Sequence, residues 1–149
     1  MPAKVDVAYR MFGGSCGRIR DLLRKAGLKP TFQRVALGRL LFADGDKHVT
    51  AEQLYNRATE NNVHLSLATI YNTLHKFTEV GLLREIAVGG SRTYFDTNVG
   101  DHHHFLIEGS GMLVDIPAGD VLIGGMPVPP GGYEIVRIDV LVRVKPADI

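Results

Sequence analysis

The chain has 149 residues, 45% hydrophobic and 22% charged, a balance ordinary for one globular domain or two small ones. Its single cysteine excludes an intrachain disulfide and a cysteine-rich zinc cluster. No apolar run approaches a membrane span, and the opening MPAKVDVAYRMFGGSCG lacks the apolar core of a secretory signal, so a cytoplasmic protein with no membrane partner is expected. The net charge of +1 hides a division: residues 1–96 hold 14 Lys and Arg against 9 Asp and Glu, residues 97–149 hold 3 against 7. A basic front and an acidic back point to a polyanion as partner of the front part alone.

In chain order, residues 1–14 show no apolar period and are expected to be disordered. SCGRIRDLLRKAGLKP places Ile19, Leu22, Leu23 and Ala26 at helical spacing and stops at Gly27, with Pro30 beyond. TFQRVALGRLLFADGD restarts a helix behind Thr31, with Phe32, Val35, Ala36 and Leu40 as its expected buried face. Thr50 and Gln53 have the spacing of a capping box, and Leu54, Tyr55 and Ala58 follow on one face. Ser66 caps the next helix, where Leu67, Ile70, Leu74 and Phe77 recur at three and four before Gly81 ends it. LLREIAV-GG-SRTYFD then reads as a hairpin about a Gly-Gly turn. Short helices followed by a hairpin are the layout of a winged helix, with the helices after Thr50 and Ser66 as its helix-turn-helix.

Beyond residue 96 the pattern changes. HHFLIE and GMLVDI read as short strands around Gly109-Ser110-Gly111, PAGDVLIG as one or two helical turns, and GGMPVPPGG as a breaker-rich loop. YEIVRIDVLVRV alternates cleanly, which predicts one long half-buried strand from Tyr133 to Val144. Some fifty residues cannot bury much core alone, so pairing with a second copy is expected. The fold class is therefore α+β, with a winged-helix domain over 1–96 and a small α/β dimerisation domain over 97–149.

In a helix-turn-helix the second helix presents its first turns to base edges. With Leu67, Ile70, Leu74 and Phe77 inward, Ala68, Thr69, Tyr71, Asn72 and His75 are left outward, next to Ser66. Asn pairs with an adenine edge, Thr and Ala pack on a thymine methyl, and Tyr71 offers a ring and a hydroxyl. Lys29, Arg34, Arg39, Arg84 and Arg92 are candidates to neutralise phosphates of double-stranded DNA. The same residues also suit a plain helical bundle with solvated side chains.

GDHHHFLIE holds three of the six histidines. On a strand, His102 and His104 point to one side and His103 to the other, so His-x-His is a two-point clamp. Carboxylates are needed to complete a site, and Asp96 and Asp115 flank the clamp, with His48 in the loop before the third helix. Three nitrogens with two carboxylates suit Fe(II) or Mn(II), zinc being a further option. A solvent-facing histidine-rich loop is the alternative. A His-x-His pair with a carboxylate is also the facial triad of non-haem iron oxygenases, but that triad sits in a β-barrel and here four amphipathic helices precede it.

Together KPTFQRVALGRLLF, HVTAEQLYNRATE, SLATIYNTLHKFTEVGLL, GGSRTYFD and DHHHF resemble the ferric uptake regulator (Fur) superfamily over roughly residues 16–145. The triplet and the cysteine-poor back half are most similar to its iron response regulator (Irr) branch. The resemblance implies a non-enzymatic, iron-responsive transcription regulator: a homodimer on a palindromic operator, answering to haem or a divalent metal, with a haem-related protein as a further partner. It implies an N-terminal winged helix, a C-terminal dimerisation domain, and a regulatory metal between them that sets the angle of the two winged helices. His48, Asp96, His102, His104 and Asp115 fall at the ligand positions of the peroxide-sensing branch; His102, His103 and His104 are the haem candidates. Two departures stand out. The first Cys-x-x-Cys pair of many relatives reads Ile107 and Ser110 here, so no four-cysteine structural zinc site forms. The Cys-Pro haem motif of some Irr proteins reads Cys16-Gly17, which favours a small half-buried structural role for Cys16.

Overall fold

The computed structural model describes residues 16–90 and 92–148. The stretch expected to be disordered, 1–14, and the side chain of Cys16 lie outside the described residues. The chain divides into two compact units after Val99, three residues beyond the expected boundary. Among the described residues no helix is long and apolar enough to cross a membrane.

The first unit opens with helix α1, Cys16–Lys25. Gly27 takes φ +82° just past it, and the Leu28 N–H returns to the Leu23 carbonyl at 2.9 Å, closing the helix end as a glycine C-cap does. Helix α2, Phe32–Phe42, is capped by Thr31, whose hydroxyl accepts from Arg34 N–H. Its inward face differs from the expected one. Val35, Leu37, Gly38, Leu41 and Phe42 are buried, whereas Phe32 is 73% exposed and Ala36 and Leu40 are half-buried. The reason is Gly38: a Cβ there would lie 2.7 Å from Ile19 Cγ2, so α1 crosses α2 at the glycine and rotates the buried face toward it.

Strand β1, His48–Val49, leads into helix α3, Ala51–Glu60. The capping box is formed: Gln53 N–H donates to Thr50 Oγ1 at 3.1 Å and Thr50 N–H donates to Gln53 Oε1 at 3.0 Å. Helix α4, Leu67–Glu79, starts at Ser66, whose hydroxyl accepts from Thr69 N–H at 3.1 Å. Ile70, Leu74 and Phe77 are each fully buried; Leu67, expected inward, is 37% exposed because it lies in the first turn. Tyr55 likewise is 39% exposed while Leu54 and Ala58 are buried.

The expected hairpin forms from β2, Arg84–Ala87, and β3, Thr93–Asp96, about Gly89 and Gly90, both at positive φ. β1 pairs with the free side of β3, giving the antiparallel order β1-β3-β2. His48 thus belongs to a strand rather than to a loop, two residues being too short a run to show alternation.

In the second unit β4, His103–Ile107, is central, with β5, Leu113–Ile116, antiparallel on one side and β6, Leu141–Val144, parallel on the other. One short 3-10 turn, Ala118–Asp120, follows β5. The long strand expected from Tyr133 shrinks to β6: residues 133–140 belong to no strand, and Val136 is 91% exposed. Alternation alone cannot make a strand, because backbone donors and acceptors need a neighbouring strand and β4 is short.

Candidate metal and nucleic-acid sites

Register brings the first unit's two candidate ligands together. His48 and Asp96 are direct partners across β1 and β3, so their side chains leave the same face of the sheet. His48 Nε2 lies 3.3 Å from Asp96 Oδ2. The other carboxylate oxygen accepts from Asn98 N–H at 2.8 Å, which fixes the group's rotation. Asp96 is fully buried. Burying a carboxylate is costly unless cations or donors compensate it.

The second unit supplies an imidazole pair and an acid. His104 and Asp115 are direct partners across β4 and β5. His102 precedes β4 by one residue, and its ring lies 4.5 Å from that of His104. His102 Nε2 and His104 Nε2 approach the same Asp115 oxygen, Oδ1, at 3.4 and 3.3 Å. The ligand atoms of His102, His104 and Asp115 all lie within 4.8 Å of one another. Both imidazoles are buried; Asp115 is exposed.

The tautomers carry further information. His102 Nδ1 is 2.6 Å from the Gly100 carbonyl, which can only accept, so Nδ1 holds the proton. In its neutral form His102 therefore turns a lone pair at Nε2 toward a carboxylate lone pair, an arrangement that calls for a cation between them, a proton or a metal ion. A carbonyl on the outer nitrogen is the usual brace of a metal-binding histidine. His103 is arranged differently. Val140 N–H donates to His103 Nδ1 at 3.0 Å, which leaves the proton of the neutral ring on Nε2. The Gly100 and Val140 partners carry no side-chain signal, and sequence reasoning missed them; Asn98 is also absent from the expected set.

The candidate nucleic-acid residues fare unevenly. Ala68 and Asn72 are exposed on α4, and Thr69 is half-buried in its first turn, where it is drawn into the cap. Ser66 is occupied as that cap and also donates to Thr69 Oγ1 at 2.9 Å. The Tyr71 hydroxyl, expected to be open to a phosphate, donates to Glu52 at 2.9 Å. That bond, with smaller contributions from burial and the repulsion of Glu52, holds the phenol pKa above the ordinary tyrosine value. Arg34 donates to the Lys29 carbonyl at 2.9 Å, while Lys29 and Arg92 are both exposed. Arg84 is a correction: at 5% exposure in β2, it presents almost no guanidinium surface to a phosphate. It sits at a buried position of the alternation, opposite Asp96 in the register.

A sheet-borne His/Asp pair in a helical first unit, and two histidines with one aspartate in a small second unit, are donor sets that could hold a metal ion. The chain belongs to the Ferric uptake regulator family, which its residues 25–122 match. It is 39% identical over 93 residues to the peroxide-responsive repressor PerR of Staphylococcus epidermidis, and 38% identical over 93 residues to PerR of Staphylococcus aureus strain Mu50. Those stretches cover 62% of this chain and 61% and 62% of the two relatives, so the chain matches about three fifths of each relative's length. Among solved structures, the ferric uptake regulator from Pseudomonas aeruginosa with manganese has a TM-score of 0.65 at 26% identity, covering 87% of this chain and 98% of that one. The Vibrio cholerae ferric uptake regulator has a TM-score of 0.66 at 20% identity, covering 85% and 98%, a likeness of fold.

Proposed function

We propose that this protein is a metal-responsive, DNA-binding transcription regulator that acts as a homodimer on a palindromic operator. The observation that carries the reading is the braced, thiol-free donor set: His48 with Asp96, and His102 and His104 with Asp115. We infer that the two sets serve one Fe(II) or Mn(II) ion, since three imidazole nitrogens and two carboxylates suit those ions. When bound, the ion would place its positive charge where the Nε2 of His102 and the Oδ1 of Asp115 face each other. Gly100 and Asn98 hold their ligands in rotation, so that little ordering entropy is left for binding to cost. The family of the chain and its likeness to PerR and to a manganese-bearing Fur structure support this reading.

For DNA, α3 and α4 serve as the helix-turn-helix and β2–β3 as the wing. Ala68 and Asn72, exposed at the start of α4, read base edges, and Lys29 and Arg92 neutralise phosphates. The regulator's second reading, an Irr-like protein answering to haem, is favoured by the histidine triplet itself. For His103 it requires the Nε2 proton to move and the Val140 bond to break, which the divalent-metal reading does not. An oxygenase reading loses ground, because the His-x-His strand lies in a three-stranded sheet and not in a barrel.

The test is Mn(II) titration of purified variants, with operator binding read in parallel. Asp96→Ala and His104→Ala should lose tight Mn(II) binding and metal-dependent DNA binding, while His103→Ala keeps most of both. Equal loss in the His103 and His104 variants would sink the proposed ligand set. A Soret shift on haem addition that disappears in His103→Ala would promote the haem reading.

A further inference from the structure

The first unit holds a pocket of about 830 Å³ that takes in none of the histidines or aspartates discussed above. It opens between α1, α2, the segment before β1, and the end of α3. Four cations line it: Arg20, Arg39, Lys47 and Arg57. Asp44 is the single carboxylate among the lining residues. The rest of the wall is largely apolar, with Val35, Leu40 and Val63 within and Phe32, 73% exposed, left in water beside them.

Lys47 is the unusual member. Its backbone is clamped on both sides by Thr97: Lys47 N–H donates to Thr97 Oγ1 at 2.9 Å and the Lys47 carbonyl accepts from Thr97 N–H at 3.0 Å. Its ammonium nitrogen is nonetheless buried with no hydrogen-bond partner. A buried ammonium without an acceptor is costly, and a flexible four-carbon stem would ordinarily carry it out to water. Arg20, Arg39 and Arg57 line the same pocket and supply planar donor forks of the kind that fit carboxylate and phosphate oxygens. Low-dielectric walls concentrate such a field at the pocket mouth. The volume is that of a small-molecule site, and the apolar lining with a few convergent polar groups is its usual composition.

We propose that this pocket binds a small amphipathic anion, a carboxylate or phosphate head on an apolar body, with the lining guanidiniums and the Lys47 ammonium, swung from its buried position on its flexible stem, taking the head and Phe32, Leu40 and Val63 the body. The buried, unaccepted ammonium selects the charge, and the exposed phenyl ring selects the apolar part. The lining includes none of the five proposed metal ligands, while Lys47 directly precedes His48 and Arg39 is one of the phosphate candidates.

Calorimetric titration of the full chain with octanoate, phenyl phosphate and the neutral octanamide tests it. Both anions should bind, and octanamide should bind at least about tenfold more weakly than octanoate, the scale of one charge-assisted contact. The ratio of octanoate to phenyl phosphate then tells a carboxylate ligand from a phosphate one. Lys47→Met should melt higher than the parent without ligand, because it removes the buried charge, yet bind octanoate about tenfold more weakly. Arg57→Gln should show the same loss, and keeps the test open if the Lys47 variant does not fold. The proposal is overturned if octanamide and octanoate bind alike, if neither anion binds at millimolar concentration, or if both variants bind octanoate as the parent does. It is also overturned if the two variants lose only affinity for a DNA duplex, which would make the pocket part of the nucleic-acid surface.

Discussion

The two units solve the problem of burial in opposite ways. The first gathers Ile19, Leu23, Leu37, Leu41, Leu54, Ile70, Leu74, Phe77 and Phe95 into one core, each at 1% exposure or less. The second buries only Leu106, Leu113 and Ile116 among its described hydrophobic residues, and leaves Leu122, Val128 and Val136 each more than 90% exposed, with Tyr133 at 75%. Its strand β6 is also a sheet edge, with backbone groups open to a further strand. A fifty-residue unit with a thin core and an extended apolar segment is stabilised from outside. The second copy proposed above would cover both the exposed segment and the edge. The first unit needs nothing of the kind, since its helices and hairpin close over a core of their own.

The sharpest way to break this comparison is a charge in the exposed segment. Val136→Asp touches almost nothing within the chain, so a self-sufficient second unit would ignore it. If the segment is covered by a second copy, sedimentation equilibrium should show dimers replaced by monomers and operator affinity should collapse. Next in size is the core of the first unit. Phe77→Ala should cost about 3–5 kcal/mol in urea denaturation, through lost transfer energy and the cavity left behind. Little change there would mean that the first unit, too, leans on outside contacts.

A smaller effect sharpens the account of local order. Thr50→Ala removes the side-chain half of the capping box and should lower stability by about 1 kcal/mol. A loss well below that would show that α3 is held by packing alone. The smallest effect is a titration. The Tyr71–Glu52 bond raises the folded-state pKa of the phenol above its unfolded value of 10.0, so its contribution is fully present below that pH and is lost as pH rises through the folded value. In Glu52→Gln, the phenolate absorbance assigned by difference from Tyr71→Phe should appear at lower pH than in the parent.

Local chemistry made much of this fold legible in advance. The caps at Thr31, Thr50 and Ser66, the stops at Gly27 and Gly81, and the Gly-Gly hairpin depend on neighbours within a few residues, so the amino-acid order carries them directly. Spacing along a strand likewise placed His102 and His104 on one side, where their rings now lie adjacent. The inward face of α2 was not legible, because LGRLLF is apolar on several sides and the choice among them was made by α1 closing on Gly38. Nor was the extent of β6, since alternation in YEIVRIDVLVRV describes side chains while a strand is defined by the partner its backbone finds. Arg84 read as a surface cation for the same reason: its burial depends on the register of β2 against β3, a long-range fact. The sequence by itself determined which residues begin and end helices and which bear imidazole or carboxylate. Only the tertiary structure decided which nitrogen of His102 and of His103 holds the proton, through the Gly100 carbonyl and the Val140 N–H, because every residue other than proline has those backbone groups and only folding chooses which side chain they meet.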